Sequence, residues 1–520
     1  MKSGVNKGIL LLLAIVMAVP VLPVPEFWIT LANYIGMYAI VALGLVLLTG
    51  VGGLTSFGQA AFVGLGAYST AYLSTALGYS PWLGLLVGLG ITIVAALAIG
   101  MITMRLSGHY LPLGTIAWGL SLYFLFGNLE FLGKYDGING IPPISLFAFE
   151  FESSRRMYVL IWVILLLAIL AVQNLLQSRP GRAIRALKGG GVMAEAMGVN
   201  TARMKVIIFV IAAMLASISG WLYAHLQRAV NPTPFGLNAG IEYLFMAVVG
   251  GAGHVWGALL GSALLTLLKD KLQTILPVLL GANGNFEVIV FGVLLVLLLQ
   301  RARDGVWPYF ARMMAWLFGK WMPKEKGVQI QPGAAALPVR QKPVANTVIL
   351  EVDNARKQFG GLVAVNDMQF QVSAGQIVGL IGPNGAGKST MFNLVTGVLP
   401  LTSGAIRFYR NGQLQTIDNL PSREIVKLGI GRTFQHVRLL ASMSVLENVA
   451  IGAHLRSKGG DVGEVLASIF RRDRKIENAL LNEARIQLER VGLGHLMHEE
   501  AGSLALGQQR ILEIARALCC

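Results

Sequence analysis

The sequence predicts a polytopic α-helical membrane domain of eight to ten spans, followed by a truncated α/β P-loop nucleotide-binding domain. Long apolar runs without charge fill roughly the first 300 positions, and 55% of all residues are hydrophobic while only 13% are charged. Residues 346 to 520 have the composition of a soluble domain, with a glycine-rich phosphate-binding motif at 382–390. The predicted division is a membrane domain at 1–318, a linker at 319–346 and a nucleotide-binding domain at 347–520.

The candidate membrane spans are apolar segments with close to the roughly 20 residues that cross the hydrocarbon core. They lie near residues 8–24, 29–50, 55–77, 82–104, 111–127, 157–177, 205–225, 241–268 and 286–300. The first span follows Lys2 and Lys7 and lacks a small-residue cleavage site, so it is interpreted as an uncleaved span rather than a signal peptide.

The orientation follows from the loop at 178–204, which is strongly basic and is therefore expected in the cytoplasm. Its charged residues are Arg179, Arg182, Arg185, Lys188 and Arg203, against the single acid Glu195. If every later segment crossed completely, the nucleotide-binding domain would lie outside the cell, where there is no ATP. The segment 241–268 is broken by four glycines and is predicted to re-enter or to cross as two half-helices. Eight and ten spans both stay open.

The net charge of +16 does not predict nucleic-acid binding, because the basic residues flank apolar runs or lie on the second domain without forming a basic stripe. A membrane protein with positive cytoplasmic loops explains the charge. The two cysteines, Cys519 and Cys520, are adjacent and support neither a disulfide framework nor a metal site.

A glycine-rich stretch at 52–68 contains the polar residues Thr55, Ser56 and Gln59. Small residues allow helices to approach closely, and polar side chains within a membrane must find partners away from lipid. Two interpretations stay open, close helix packing and a lining of the substrate path.

The motif at 382–390 is a phosphate-binding loop, because an apolar predicted strand at 377–381 precedes it and an apolar helix follows it. Glycines at Gly382, Gly385 and Gly387 let backbone N–H groups surround the phosphates of ATP. Lys388 is expected to bridge the terminal phosphates, and Ser389 to offer its hydroxyl to Mg²⁺. Asn384 and Thr390 complete the predicted nucleotide site.

The basic loop resembles the cytoplasmic coupling loop of branched-chain amino acid permeases of the ABC transporter class. The resemblance rests on residues 178–188 and 194–200, and the glycine-rich stretch and the glycine break near 250–257 are also similar to that family. It implies that a short helix carrying Arg182, Arg185, Glu195 and Gly198 docks on the ATPase and transmits its motion. Three consecutive glycines at 189–191 are expected to loosen that helix by up to about 1 kcal/mol each. A basic loop that only determines topology is the alternative.

Three further motifs resemble those of ABC ATPases. Phe359 matches the aromatic residue that stacks on adenine, with core packing as the alternative, and Gln435 matches the Q-loop glutamine that reaches Mg²⁺ and the attacking water. The segment Ser503, Leu504, Ala505, Leu506, Gly507 and Gln508 matches the signature that acts in trans on the ATP of a second cassette. Leu506 departs from the glycine that is usual at this position.

The sequence reaches Cys520 without the aspartate-tipped strand, catalytic glutamate and switch histidine that the resemblance implies after the signature helix. We therefore expect this chain alone not to hydrolyse ATP at a useful rate. We also expect the apolar strand at 377–381 to lack sheet neighbours and to expose its side chains.

Three interpretations follow. The first is a component of an importer of leucine-type amino acids in the bacterial inner membrane, assembled with a second permease, a second ATPase and a periplasmic binding protein. The second is a noncatalytic membrane subunit, and the third is a truncated gene product. Urea or short amides are alternative substrates.

Overall fold

A computed structural model of the chain describes residues 13–14, 16–103, 110–147, 149–280, 290, 292–293, 296–297, 300–302, 304–318, 337, 343–410, 413–456 and 461–520. The chain divides into two compact units. The membrane unit comprises residues 1–176 and 202–326, and the cassette unit comprises residues 177–201 and 327–520. This division differs from the expected one because residues 177–201 pack with the nucleotide-binding residues. The expected linker at 319–346 lies outside the described residues except for 337 and 343–346.

The membrane unit is built from α-helices with short connections. They are α1 (Glu26–Leu45), extended by a π-helical segment (Val46–Val51), α2 (Gln59–Thr75), α3 (Pro81–Thr103), α4 (Tyr110–Asn128), α5 (Ser154–Leu176), α7 (Thr201–Gln227), α8 (Leu237–Gly251), α9 (Val255–Leu280) and α10 (Trp307–Phe318). Helix α6 (Arg179–Ala196) follows α5 in the chain but belongs to the cassette unit. Short antiparallel pairs join β1 (Ile138–Asn139) to β4 (Ala229–Val230) and β2 (Ser145–Leu146) to β3 (Phe149–Glu150).

Five helices among the described residues are long and apolar enough to cross a membrane, namely α1 with its extension, α3, α4, α5 and α7. Helices α8 and α9 pass the same test together as a bent pair, which raises the count to six. The candidate span at 286–300 lies largely outside the described residues and the one at 8–24 lies partly outside them, so the total of eight to ten stays a prediction.

The predicted break in segment 241–268 is confirmed. Helix α8 ends at Gly251 and α9 begins at Val255, with a bend of 118° between their axes. Gly251 has φ +123°, a backbone conformation that other residues rarely adopt, and Gly250 packs directly against the carbonyl of Gly257. Glycine is therefore required here both by the turn and by the close approach of the two half-helices.

The predicted span at 55–77 begins later than expected. Residues 52–58 are not helical, because Gly52 and Gly53 end the preceding helix and Gly53 has φ +71°, so α2 starts only at Gln59. Within α2, Gly64 lies against the ring of Phe126 and Gly66 against the backbone of Ser217. The close-packing interpretation of the glycine-rich stretch is therefore confirmed at these two glycines.

The cassette unit contains a four-stranded antiparallel sheet in the order β6-β5-β7-β8. Its strands are β5 (Val348–Phe359), β6 (Leu362–Ser373), β7 (Ser403–Arg410) and β8 (Gln413–Thr416). Its helices are α11 (Lys388–Val395), α12 (Ser422–Leu428), α13 (Val445–Ala450), α14 (Asp461–Ile469), α15 (Arg474–Arg490) and α16 (Leu506–Leu518). One apolar core joins this sheet to α11 and α12, around Val352, Leu394 and Ile406.

A second apolar core joins α13, α15 and α16. Leu480, Leu481 and Leu488 of α15 are buried in this core together with Leu512 of α16. Ile486 of the same helix is 36% exposed. The buried face is formed by positions 480, 481, 484 and 488, and position 486 points away from them on a helix with 3.6 residues per turn.

The predicted strand at 377–381 does not form. Residues 376–382 have no hydrogen-bonded strand neighbour in the part of the chain that the structure describes, and Ile377 and Ile381 are 101% and 93% exposed. A strand buried on both faces needs partners on both sides to satisfy its backbone groups. The expected exposure of this apolar segment is thereby confirmed.

Candidate functional site

The phosphate-binding loop of the cassette unit lies between the exposed segment at 377–381 and helix α11. Gly382, Gly385 and Gly387 have φ of +157°, +89° and +80°, and Gly387 abuts the carbonyl of Ala364 on β6. Side chains at these glycines would be strained, so the sequence pattern follows directly from the backbone path. The loop ends at the N-terminus of α11, where the backbone N–H groups attract anions.

Lys388 is the central cation of the loop. Its ammonium donates hydrogen bonds to the carbonyls of Gly382 at 2.7 Å and Pro383 at 2.6 Å. Asn384 and Gly385 lie at the exposed turn of the loop, and Thr390 is half-buried on α11. The arrangement holds one positive charge inside a ring of backbone groups, which is the pattern that binds a polyphosphate.

Ser389 and Gln435 lie together, although they are far apart in the sequence. The Ser389 hydroxyl donates to the Gln435 side-chain oxygen at 3.3 Å. Two neutral oxygen ligands beside a phosphate site fit Mg²⁺, which takes few protein ligands and completes its shell with phosphate oxygens and water. The donor set is therefore compatible with the expected Mg²⁺ position.

Phe359 lies at the end of β5, where the β5–β6 hairpin turns towards Leu362. Its ring is 44% exposed, and the Lys357 ammonium lies 5.1 Å from the ring centre. Because β6 also contacts the loop at Gly387, the hairpin lies beside the phosphate site. An aromatic face at this exposed position suits base stacking better than core packing.

The segment that contains Gln435 is tied to the signature helix α16. Glu513 accepts from the backbone N–H of Arg438 at 2.9 Å, and Arg516 donates to the carbonyl of Arg438 at 2.8 Å. Glu513 and Arg516 are both buried and pair with each other at 3.1 Å. Sequence analysis missed these two residues, although an acid and a base three positions apart on an otherwise apolar helix face were a detectable signal.

The signature segment lies at the start of α16. Ser503, Ala505, Leu506 and Gly507 are exposed, Leu504 is buried, and the side chain of Gln508 accepts from the backbone N–H of Ala505 at 3.2 Å. Leu506 exposes 64% of its surface. The segment thus presents a helix N-terminus to solvent rather than to the phosphate loop of its own chain.

Helix α6 carries three arginines, and each pairs with a carboxylate on a helix of the nucleotide-binding domain. Arg179 pairs with Glu464 of α14, Arg182 with Glu477 of α15, and Arg185 with Glu447 of α13 at 2.5 Å. The Arg182 side chain is 2% exposed and makes a second bond to Glu477 at 3.0 Å. The structure therefore brings the predicted Arg182 and Arg185 together with the ATPase residues, and adds Arg179 to the set.

The environment of these pairs is shown by their pKa shifts. Burial has the largest single effect on the pKa of Arg182 and lowers it, but Glu477, Glu447 and Asp473 together outweigh burial and raise the pKa overall. Burial has the largest single effect on the pKa of Glu447 and raises it, yet Arg185, the N–H of Ser444 and Arg182 together outweigh burial and lower the pKa. Each charge therefore depends on its partner for stability. Glu447 and Ser444 also form a capping box at the N-terminus of α13, in which the side chain of each accepts the backbone N–H of the other.

A buried histidine lies under the arginines. The Nε of Arg179 donates to Nδ1 of His454 at 3.3 Å. Burial, followed by Arg179 and Arg182, holds the pKa of His454 well below its usual range. The neutral imidazole is thus an acceptor in this layer, a role that its sequence position did not indicate.

The second half of α6 departs from regular helix at the three consecutive glycines, as predicted. Gly190 has φ −179° and ψ 63°, which kinks the helix. Glu195 accepts a hydrogen bond from Thr201 at 2.6 Å. Gly198 has φ +88° and packs against Leu455, so that a side chain here would collide with it. Arg182 and Arg185 therefore contact the ATPase residues directly, whereas Glu195 holds the local turn.

The residues of the glycine-rich stretch lie in the membrane unit. Ser56 and Gln59 are buried, Thr55 is half-buried, and the side chains of Ser56 and Gln59 have no hydrogen-bond partner among the described residues. The adjoining cavity, between α2, α4 and α7, has a volume of only about 10 Å³. A space of that size holds about one water molecule.

A set of apolar helices that can cross a membrane, joined to a domain with a phosphate-binding loop, is the arrangement of an ABC transporter polypeptide, and the protein is an integral membrane protein. Residues 27–299, more than half of the chain, match the family described as the branched-chain amino acid transport system permease component, and residues 365–520 match the ABC transporter family. The chain belongs to the branched-chain amino acid transport permease family, here joined to an ABC ATPase region.

Relatives match each part separately. The ATP-binding protein LivG of Escherichia coli (strain K12), a high-affinity branched-chain amino acid transport protein, is 41% identical over 171 residues, covering 33% of this chain and 64% of LivG. The permease protein LivM of Salmonella typhimurium is 27% identical over 297 residues, covering 52% of this chain and 68% of LivM. A nucleotide-free cassette crystal structure aligns with 35% identity and a TM-score of 0.27, over 33% of this chain and 65% of its own. The chain thus spans less than two thirds of the length of the LivG relatives.

Proposed function

We propose that this protein is the membrane component of an ATP-dependent importer of branched-chain, leucine-type amino acids. The names of LivG and LivM support the substrate class. The basic loop at 178–204 supports a position in the bacterial inner membrane with the ATPase residues on the cytoplasmic side. The proposed complex contains a second permease subunit, a second ABC ATPase subunit and a periplasmic substrate-binding protein.

The observation that carries the proposal is the layer of three arginine–carboxylate pairs between α6 and the ATPase residues. Helix α6 is continuous in the chain with the membrane helices on both sides, so a displacement of α6 reaches the membrane unit through the backbone. Glu447 belongs to the same helix as Asn448, whose side chain bonds both backbone groups of Leu440 at 3.0 Å.

A path of contacts and chain connections therefore leads from the phosphate loop to α6. Ser389 contacts Gln435, the segment from Gln435 leads to Leu440, and Leu440 is bonded to Asn448 beside Glu447, which binds Arg185. Bound ATP with Mg²⁺ would be held by Lys388, Ser389 and Gln435, where the metal neutralises phosphate charge. A shift of Gln435 on nucleotide binding would then be transmitted to the Arg185–Glu447 ion pair.

A direct test is uptake of radiolabelled leucine by cells that lack their own leucine importers and carry this chain with the proposed partners. We expect uptake that depends on the chain and that excess unlabelled isoleucine, but not urea, suppresses. Suppression by urea alone, or uptake that is the same without the chain, would refute the proposed substrate class.

A second candidate function, nucleotide binding without turnover, is favoured by the exposure of Ile377 and Ile381 beside the phosphate loop. A cassette that lacks a general base typically loses about 10²- to 10⁴-fold in rate. Binding of a fluorescent ATP analogue by the purified chain, with phosphate release measured in parallel, separates the two. Turnover comparable to that of an intact ABC ATPase would exclude the second candidate.

A further inference from the structure

A cavity of about 190 Å³ lies in the membrane unit between α1, α8 and α9. It is far larger than the space beside Ser56, and its wall combines charged, aromatic and aliphatic side chains. The lining residues are Leu31, Tyr34, Tyr38, Glu242, Met246, Leu265, Thr266, Lys269, Asp270 and Gln273. The motifs assigned above include none of them.

The charged residues of the cavity interrupt apolar helices. Glu242 lies between Ile241 and Tyr243 on α8, and Lys269 follows a long apolar run on α9. Ionisable side chains within membrane helices are costly and mark substrate paths or relays more often than structural features. Here the Lys269 ammonium pairs with the Glu242 carboxylate at 2.8 Å.

This ion pair is only partly buried among the described residues. The side chains of Lys269 and Glu242 are 43% and 37% exposed. An ion pair that is so exposed contributes little to stability, and so its partners can be exchanged at small cost. A ligand that carries both a positive and a negative group can replace the single internal pair by two pairs.

Beside the charges lies an aromatic and aliphatic wall. The rings of Tyr34 and Tyr38 are 5.8 Å apart, and Tyr38 lies 5.6 Å from Tyr243. Leu31, Met246 and Leu265 complete the apolar part of the lining. The Thr266 hydroxyl is buried at the cavity and has no hydrogen-bond partner among the described residues. The cavity thus offers the carboxylates of Glu242 and Asp270, the Lys269 ammonium, the Thr266 hydroxyl and an apolar wall.

We propose that this cavity is a binding site for a zwitterionic α-amino acid on its way through the membrane unit, a proposal that rests on the importer function above. The ammonium of the amino acid pairs with Glu242 and its carboxylate with Lys269. The aliphatic side chain lies against Tyr34, Tyr38 and Met246. Neutral amides such as urea carry neither charge and gain nothing from the exchange.

The test is leucine uptake by the complete complex with Glu242→Gln and Lys269→Gln. Each substitution keeps the shape of the side chain and removes one charge. We expect the KM for leucine to rise at least about tenfold with kcat changed less, as for loss of a charged hydrogen bond. The matched control is Glu130→Gln with Lys134→Gln, which removes an exposed pair at the same distance of 2.8 Å.

Competition by leucine analogues distinguishes a binding role from a structural one. Isocaproate lacks the ammonium of leucine, and isoamylamine lacks the carboxylate. In Glu242→Gln, isocaproate should compete relatively better against leucine, and in Lys269→Gln, isoamylamine should. A merely structural ion pair would change neither ratio, and the exchanged pair Glu242→Lys with Lys269→Glu would then restore uptake.

The outcomes separate this site from the proposed function. Unchanged KM and unchanged analogue ratios in a complex that still takes up leucine would overturn the site and leave the function intact. No leucine uptake by the wild-type complex would overturn the function, and the site with it. If the Glu242→Gln variant loses uptake because the complex fails to assemble, less of the protein will be found in the membrane. In that case the analogue ratios measured with the Lys269→Gln variant decide.

Discussion

Replacing Glu477 by glutamine should open the packing of α6 against the ATPase residues, because it removes the charge that compensates a buried guanidinium. Arg182 is 2% exposed and Glu477 12%. Breaking a buried pair by removing one partner typically costs about 3 to 5 kcal/mol, and the amide that remains can still accept one hydrogen bond. We therefore expect the lower end, about 3 kcal/mol.

Native-state hydrogen exchange of the purified full chain measures this opening directly. A free energy of about 3 kcal/mol corresponds to a loss of amide protection of roughly a hundredfold in α6 and in the first half of α15. The matched control is Glu424→Gln, whose partner Lys427 lies at 2.9 Å but is 50% exposed. The control should stay within about 0.5 kcal/mol.

The double replacement Arg182→Met with Glu477→Leu completes the test. Because both charges are removed, no buried charge is left without a partner, and protection should return to within about 1 kcal/mol of the wild type. The reasoning is refuted if Glu477→Gln loses no more protection than Glu424→Gln, or if the apolar pair is as unstable as the single variant.

Three further outcomes follow from the structure. Lys388→Ala should weaken binding of a fluorescent ATP analogue by roughly ten- to a hundredfold, since the loop loses its central cation, and unchanged affinity would contradict the assignment. The pKa of the buried, neutral His454 is lowered, so the unfolded protein takes up this proton at a higher pH than the folded protein. The folded state should therefore lose stability as the pH drops below about 6.5, the ordinary pKa of histidine. His454→Gln should flatten this acid loss in thermal unfolding, and an equal slope would disprove the role. Gly198→Ala should destabilise by about 1 kcal/mol or more because of its positive φ and its contact with Leu455, whereas Gly191→Ala, in open space within α6, should be neutral or stabilising in the same unfolding assay.

The phosphate site shows how far local pattern carries. Gly382, Gly385 and Gly387 were predicted to curve the backbone, and all three have positive φ. The requirement is local, because each position is constrained by its own dihedral angles and by the helix that follows it. The glycine break at 250–257 was predictable for the same reason.

The segment at 377–381 shows where local pattern is insufficient. Its apolar, β-branched residues favour a strand, yet a strand exists only through hydrogen bonds to neighbours, and here none is described. The exposure of Ile377 and Ile381 follows from those missing neighbours and not from the residues themselves.

The sequence by itself determined the two kinds of domain, the phosphate loop and the basic character of the loop at 178–204, because hydropathy, glycine placement and charge act over a few neighbouring residues. Only the tertiary structure decided that Arg179, Arg182 and Arg185 each face a carboxylate more than 250 positions away, and that Glu242 meets Lys269 beside Tyr38. Many acids could have partnered each arginine. The choice among them depends on which helices pack together, a property of the whole buried surface rather than of any local segment.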